Sequence, residues 1–284
     1  LNFRIMTAPV DAPGDWSEYL AHDPEVYLTG HEVFARHLVL TERRGGLQVV
    51  RIHRLSDRTE HVVASPEPVS VTSTETNLEF DTDLLRLSYT SMVTPRSVVA
   101  YHMDTRERTV LKQDEAGTYD PAQYICERLW ATAPDGKQVP VSVVRRKDVQ
   151  TPAPCLLYAY GSYGYSTEPS FSSTRVSLLD RGIIFAIAHV RGGSEMGRAW
   201  YDDGKLLKKR NTFTDFIAAA ECLIQNGLTR SKQLAIRGGS AGGLLIGAVL
   251  NMRPNLFHAA HAAVPFVDCV NTMLDASIPL TVTE

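Results

Sequence analysis

Gly238-Gly239-Ser240-Ala241-Gly242-Gly243 follows a buried strand, Leu234-Ala235-Ile236, and opens a helix expected over Ala241 to Asn251, ending before Pro254. The hexapeptide contains G-x-S-x-G, and a strand-to-helix turn is the context in which that pattern presents a nucleophilic serine. The turn is so tight that its central residue is held in a strained conformation. Side chains on its flanks would collide with the strand and the helix, so glycines frame it. Ser240 is then presented above the sheet. The helix N-terminus behind it favours negative charge, and the Ala241 backbone N–H points at the oxyanion that would develop on an attacked carbonyl. A glycine-rich turn with an incidental serine is the bland reading. Strand, helix and four glycines together favour the nucleophile.

Upstream of the turn, strands and helices alternate. Cys126 to Thr132, the turn Pro134-Asp135-Gly136 and Val139 to Arg145 read as a hairpin. Cys155 to Tyr160 is a buried strand ending in Gly161, and a helix is expected from about Ser172 to Arg181, stopped at Gly182. Ile183 to Val190 is a second buried strand, ending in Arg191-Gly192-Gly193. Phe213, Phe216, Ile217, Ala220, Leu223 and Ile224 share one helical face over Thr212 to Asn226, with Thr212-x-x-Asp215 as a capping box and Gly227 as the stop. This alternation predicts a doubly wound, mostly parallel sheet covered on both faces.

The first part has a different texture. His37 to Arg43 and Leu47 to Arg54 flank Arg44-Gly45-Gly46 as a hairpin, and His61 to Ala64 is a further strand. The pattern recurs at Leu84 to Thr90, Ser97 to Met103 and Thr109 to Leu111, mapping Val39 to Leu87, Val50 to Val98 and Val62 to Val110. An all-β period of this length is that of a β-propeller blade, with a β-sandwich fragment as the alternative. Two blades cannot close a ring. The expected division is therefore 1–117, the last blades of an incomplete propeller, and 118–284, the first part of the α/β unit.

The 284 residues carry a net charge of −3, with 44% apolar and 21% charged residues, the balance of a soluble globular protein without a nucleic-acid partner. The basic cluster Lys205, Lys208, Lys209 and Arg210 reads as a solvated face. No apolar run reaches the ~18 residues of a membrane span. Cys126, Cys155, Cys222 and Cys269 form no C-x-x-C, which suits reduced thiols in a cytoplasmic protein. A serine nucleophile needs a base, and the expected order is Ser, then Asp or Glu, then His. After Ser240 the chain offers His258, His261, Asp268, Asp275 and Glu284. Both histidines fall at the start of the next strand, too early for the base, so the chain is expected to be truncated at both ends.

Tyr158-Ala159-Tyr160-Gly161-Ser162-Tyr163-Gly164, Val190-Arg191-Gly192-Gly193-Ser194-Glu195 and Gly238 to Gly243 together resemble the prolyl oligopeptidase family. Ala241 after the nucleophile, Val264-Pro265-Phe266-Val267-Asp268 and Thr272-Met273-Leu274-Asp275 resemble its oligopeptidase B branch. The likeness extends into the β part at Glu79-Phe80-Asp81 and Ser91-Met92-Val93-Thr94-Pro95. It implies a β-propeller capping an α/β-hydrolase domain. It also implies cleavage of short peptides after Arg or Lys, without metal or cofactor. By the same likeness Ser240 is the nucleophile, the Ala241 N–H and the Tyr160 hydroxyl are the oxyanion donors, and Glu284 is one of two acids that bind the basic side chain. Glu168 matches the first of two acids near the adjoining subsite, and Ser170 stands where the second would be. Glu195 receives no role.

Two other readings compete. A carboxylesterase or lipase would carry an HGGG-type loop after its third strand, where this chain has Tyr160-Gly161-Ser162-Tyr163-Gly164. A non-catalytic peptide-binding relic would suit the missing acid and base, which truncation explains better.

Overall fold

The computed structural model describes residues 2–278. Glu284 lies outside the described residues. The chain begins with a two-stranded ribbon, β1 (Ile5–Thr7) and β2 (Ser17–Leu20). Two four-stranded antiparallel sheets follow, each in chain order. The first comprises β3 (Val26–Val33), β4 (His37–Arg44), β5 (Leu47–Arg54) and β6 (Glu60–Val62). The second comprises β7 (Ser70–Thr74), β8 (Leu84–Ser91), β9 (Ser97–His102) and β10 (Arg108–Gln113). They are separate sheets, as the repeat requires, and β3 and β7 add to each blade a strand the repeat had not included. At the β4–β5 turn Gly45 and Gly46 have φ of +54° and +78°, the left-handed pair that a two-residue hairpin demands.

The internal offset is corrected by one residue. Val39 pairs with Ile52, and Leu87 pairs with Val99. First-strand counterparts are 48 residues apart, as expected, but second-strand counterparts are 47 apart. A one-residue slip reverses which face a side chain occupies. Val50, Ile52, Val99 and Tyr101 accordingly share the core between the blades, together with Val39 and Leu87, while Val98 points away from it.

The chain then enters a six-stranded mixed sheet in the order β11-β12-β14-β13-β15-β16. These are β11 (Tyr124–Thr132), β12 (Gln138–Arg146), β13 (Cys155–Tyr158), β14 (Ile184–Ala188), β15 (Leu234–Gly239) and β16 (Ala259–Ala263). The hairpin pairs antiparallel, and β12 with β14 likewise. From β14 to β16 all pairings are parallel. Side chains of successive strand residues alternate between faces. Val139, Val141, Val143, Leu157, Ala186 and Ile236 meet α3 (Arg210–Gln225) and α4 (Ala241–Met252), through Phe216, Leu223, Leu245 and Ile246. Val144 and Ile187 face the other way, toward Leu179 of α1 (Ser173–Leu179) and the blade residues Val69, Met92 and Val93. This second cluster seats the blades on the sheet. Short helices α2 (Arg198–Asp202) and α5 (Cys269–Leu274) complete the described fold. Among the described residues no helix is long and apolar enough to cross a membrane. Cys126, Cys155 and Cys222 are buried, Cys269 is partly buried, and all are free thiols.

The expected capping box at the start of α3 is not formed. The N-cap is Lys209, and Thr212 Oγ1 donates instead to the carbonyls of Arg191 and Gly204. Asp215 is taken by Arg191. Both residues are drawn into a buried network, and the helix begins three residues earlier than the box would place it.

Candidate active site

Parallel strands place their C-terminal ends along one edge, where ligands bind in such sheets. Tyr158 of β13 is in register with Arg237 of β15, so the loops after both strands emerge side by side. Ser240 caps β15 and precedes α4 with φ 55° and ψ −118°, a strained conformation for a non-glycine residue, and it is exposed. Its N–H donates to Ala263 O at 3.0 Å, and its carbonyl accepts from Phe266 N at 3.1 Å and, within the turn, from Gly243 N at 2.9 Å and Leu244 N at 3.3 Å. Among the described residues no hydrogen bond reaches its hydroxyl, so no described histidine serves it. His261 is exposed on β16, in register with Arg237.

The glycines of the frame divide into two kinds. A Cβ on Gly238 would lie 2.2 Å from the Gly242 carbonyl oxygen. One on Gly243 would lie 2.5 Å from Pro265 Cα, and one on Gly242 would lie 2.9 Å from Ala159 O. Gly239 is different, because its Cβ would meet Ala263 O at an ordinary 3.6 Å. Close packing thus demands glycine at three positions of the frame and leaves the fourth free. Gly242 packs against Tyr160, to whose Cα its own Cβ would come within 3.3 Å. The Tyr160 ring meets the Tyr165 ring edge-on with centroids 5.5 Å apart. Tyr160, on the loop after β13, therefore stands beside the turn that carries Ser240 and the first residue of α4, Ala241.

The loop after β14 supports the loop after β13. A Cβ on Gly192 would stand 2.0 Å from Gly161 O, and Gly164 N–H donates to Gly192 O at 2.9 Å. Beneath them lies Arg191, 2% exposed. Its backbone N–H and Nε donate to Asp215 Oδ2 at 3.0 and 2.8 Å, and its Nη1 and Nη2 reach Asp135 in the β11–β12 turn. Burial works against its charge, but the two carboxylates more than offset this and hold its pKa above the ordinary value. Sequence reasoning missed this network. Its signal was an arginine closing a buried strand and an aspartate on the apolar side of α3.

Glu168, from the same loop after β13, forms an ion pair with Arg43 of β4. The expected substrate acid is thus engaged by an arginine of the first blade. Glu195 is buried and accepts from Thr167 N–H at 2.8 Å. Nearby, His189 shares a 2.7 Å hydrogen bond with Ser142 and is fully buried, which lowers its pKa. Arg128 donates to Ser142 Oγ at 2.7 Å and to Gly45 O of the blade turn at 2.8 Å. Burial pushes its pKa down to about 10, opposed by the charge of Glu195. A buried polar seam therefore joins the first blade to the loops that carry Tyr160 and Glu168.

Comparison with known proteins matches two separate stretches of the chain. Residues 1–114 match the model "Prolyl oligopeptidase, N-terminal beta-propeller domain", and residues 169–284 match "Prolyl oligopeptidase family". Dipeptidyl aminopeptidase BI of Pseudoxanthomonas mexicana is 49% identical over all of this chain and 40% of its own length. Protease 2 of Moraxella lacunata is 42% identical over all of this chain and 41% of its own. Oligopeptidase B from Leishmania major superposes with a TM-score of 0.87 at 45% identity, covering 98% of this chain and 41% of that one. The chain spans about 40% of the length of the curated relatives it matches. Two family models on successive parts, a blade pair seated on an α/β-hydrolase sheet and a serine strained at the strand-to-helix turn agree: the chain belongs to the prolyl oligopeptidase family.

Proposed function

We propose that the protein carrying this chain is a serine oligopeptidase that hydrolyses short peptides after Arg or Lys through an acyl-enzyme on Ser240. The supporting observation is Ser240 itself, exposed at φ 55° between β15 and α4 with Tyr160 packed against the same turn. In the proposed reaction the Ser240 hydroxyl gives its proton to a histidine and Oγ bonds to the peptide carbonyl carbon. The Ala241 N–H and the Tyr160 hydroxyl hold the resulting oxyanion. The C–N bond then breaks, the amine leaves with the proton, and water hydrolyses the ester by the same route.

Specificity is assigned to Glu284, whose carboxylate would pair with the guanidinium or ammonium that must leave water. Glu168 joins an adjoining subsite only where Arg43 yields its carboxylate, so we give it a lesser part. The base is assigned to a histidine beyond the described residues, and the 284-residue chain alone is expected not to turn over substrate. The four free thiols suit a reducing compartment, and we place the protein in the cytoplasm.

The test compares an Arg-containing peptide amide with an uncharged ester in the full-length protein. Ser240→Ala should abolish both activities. Glu284→Gln should lower kcat/KM on the Arg substrate by roughly 10- to 1000-fold, the loss of a desolvated charge partner, and leave the ester nearly unchanged. Turnover by the 284-residue chain at the full-length rate, or equal losses on both substrates, would overturn the respective assignment.

A further inference from the structure

We infer that Lys209 is a positioning residue for the oxyanion donor, holding the Gly161–Ser162 peptide group one residue beyond Tyr160; this rests on the reading of the site given above. Lys209 Nζ donates to Gly161 O at 2.7 Å and to Ser162 Oγ. Gly161 has φ +74°, and a Cβ there would stand 2.5 Å from Thr212 Cγ2 and 2.7 Å from Val190 Cγ2. The Gly161 carbonyl is also wedged against Gly192, whose own Cβ would be 2.0 Å from that oxygen. The chain therefore leaves Tyr160 through a crowded, left-handed glycine whose carbonyl is oriented by an ammonium. A charge-assisted bond of this kind is about twice as strong as a neutral one. Holding that peptide group fixes the left-handed turn at Gly161, and with it the direction in which the chain leaves Tyr160.

The location of Lys209 supports a purpose beyond the helix it caps. It is the N-cap of α3, where Arg210 follows and where the macrodipole disfavours cations. Its basic neighbours are accounted for at the surface: Lys205 pairs with Asp202 at 3.0 Å and Lys208 with Asp203 at 2.6 Å. Lys209 alone of the three lysines turns inward to the loop after β13, a correction to the reading of the whole cluster as a solvated face. A residue that opposes local helix electrostatics while ordering a site loop is the kind of local conflict that functional sites retain.

The experiment is a double-mutant cycle of Lys209→Met and Tyr160→Phe in the full-length protein, with kcat and KM measured on an Arg-containing peptide amide. Lys209→Met should lower kcat by about 10- to 100-fold with KM changed less than about threefold, since it misplaces a group that acts in the transition state. In the Tyr160→Phe background the same change should cost less than about threefold, because the donor it positions is already gone. A purely structural lysine would give the same factor in both backgrounds, and that result overturns the inference. Should Lys209→Met fail to fold, Ser162→Ala removes one acceptor without stranding a charge. It should cut kcat by roughly 3- to 10-fold only where Tyr160 is present; an equal cut in both backgrounds overturns the inference. Ser240→Ala run alongside separates the two levels. If it leaves turnover intact, the reading of the site fails. If it abolishes turnover while Lys209→Met keeps the full kcat, the Lys209 inference alone fails.

Discussion

Alanine at Gly238 and alanine at Gly239 should behave very differently, though the two glycines are neighbours in the same strand-to-helix turn. A Cβ on Gly238 would stand 2.2 Å from Gly242 O, 2.7 Å from the carbonyl carbon behind it and 2.9 Å from Ile246 Cγ1. Two of these three atoms belong to the backbone of α4, so no rotamer change relieves the contact. Restoring ordinary separation near 3.5 Å requires the first turn of α4 to shift by about 1 Å. Overpacking typically costs about 1–3 kcal/mol, and a moving helix backbone argues for the upper end. For a unit of this size that is a fall in Tm of roughly 5–10 °C. A displacement of about 1 Å between reacting groups costs about 100-fold in rate, so kcat/KM on a peptide amide should fall by about that factor. At Gly239 the added Cβ would meet Ala263 O at 3.6 Å and Ala263 Cβ at 3.8 Å, both ordinary contacts. Gly239→Ala should stay within about 0.5 kcal/mol of the parent and keep most of its activity. Thermal unfolding and steady-state rates of both variants are the assay. Equal losses at the two positions would refute the claim that the elbow is set by close backbone packing.

Two further outcomes follow from the buried polar groups. Asp215→Asn leaves Arg191 buried with only the half-exposed Asp135 as a charge partner, and it should destabilise by about 3 kcal/mol, against less than about 1 kcal/mol for Asp135→Asn, in chemical denaturation. His189 is fully buried and its pKa lies below the ordinary 6.5, so the unfolded chain binds a proton that the folded chain refuses; stability should be full above about pH 6.5 and fall as the pH drops below it, and the slope should flatten in His189→Gln.

The blades were legible because hairpin chemistry is local. Arg44-Gly45-Gly46 supplies two residues that tolerate positive φ, and the strands on either side follow from that turn. The slip from Val98 to its neighbour was not legible, because it depends on loop length. Two residues join β4 to β5, whereas Met92 to Arg96 join β8 to β9, and only pairing across the strands shows which residue of β9 faces the core. Periodicity gives a strand its two faces without saying which one the neighbouring blade will cover.

The site divides along the same line. Ser240 could be read from the chain because its glycine frame is local: a Cβ on Gly238 would meet Gly242, four residues on in the same turn. The parts that hold its companions in place could not, because their partners are far away in sequence. Thr212 and Asp215 have the spacing of a capping box, and local rules assign them to the start of α3. The buried guanidinium of Arg191, in the loop after β14, takes Asp215, because leaving it unpaired costs more than an uncapped turn, and Thr212 Oγ1 donates to the Arg191 backbone carbonyl. Lys209 is misread for the same reason, as one cation among four until the loop after β13 folds over it. Where a polar residue obeys a local motif and a distant charge also needs it, the distant charge prevails when it is the more deeply buried of the two. That condition is met at the loops beside Ser240, and there the sequence pattern and the folded arrangement part company.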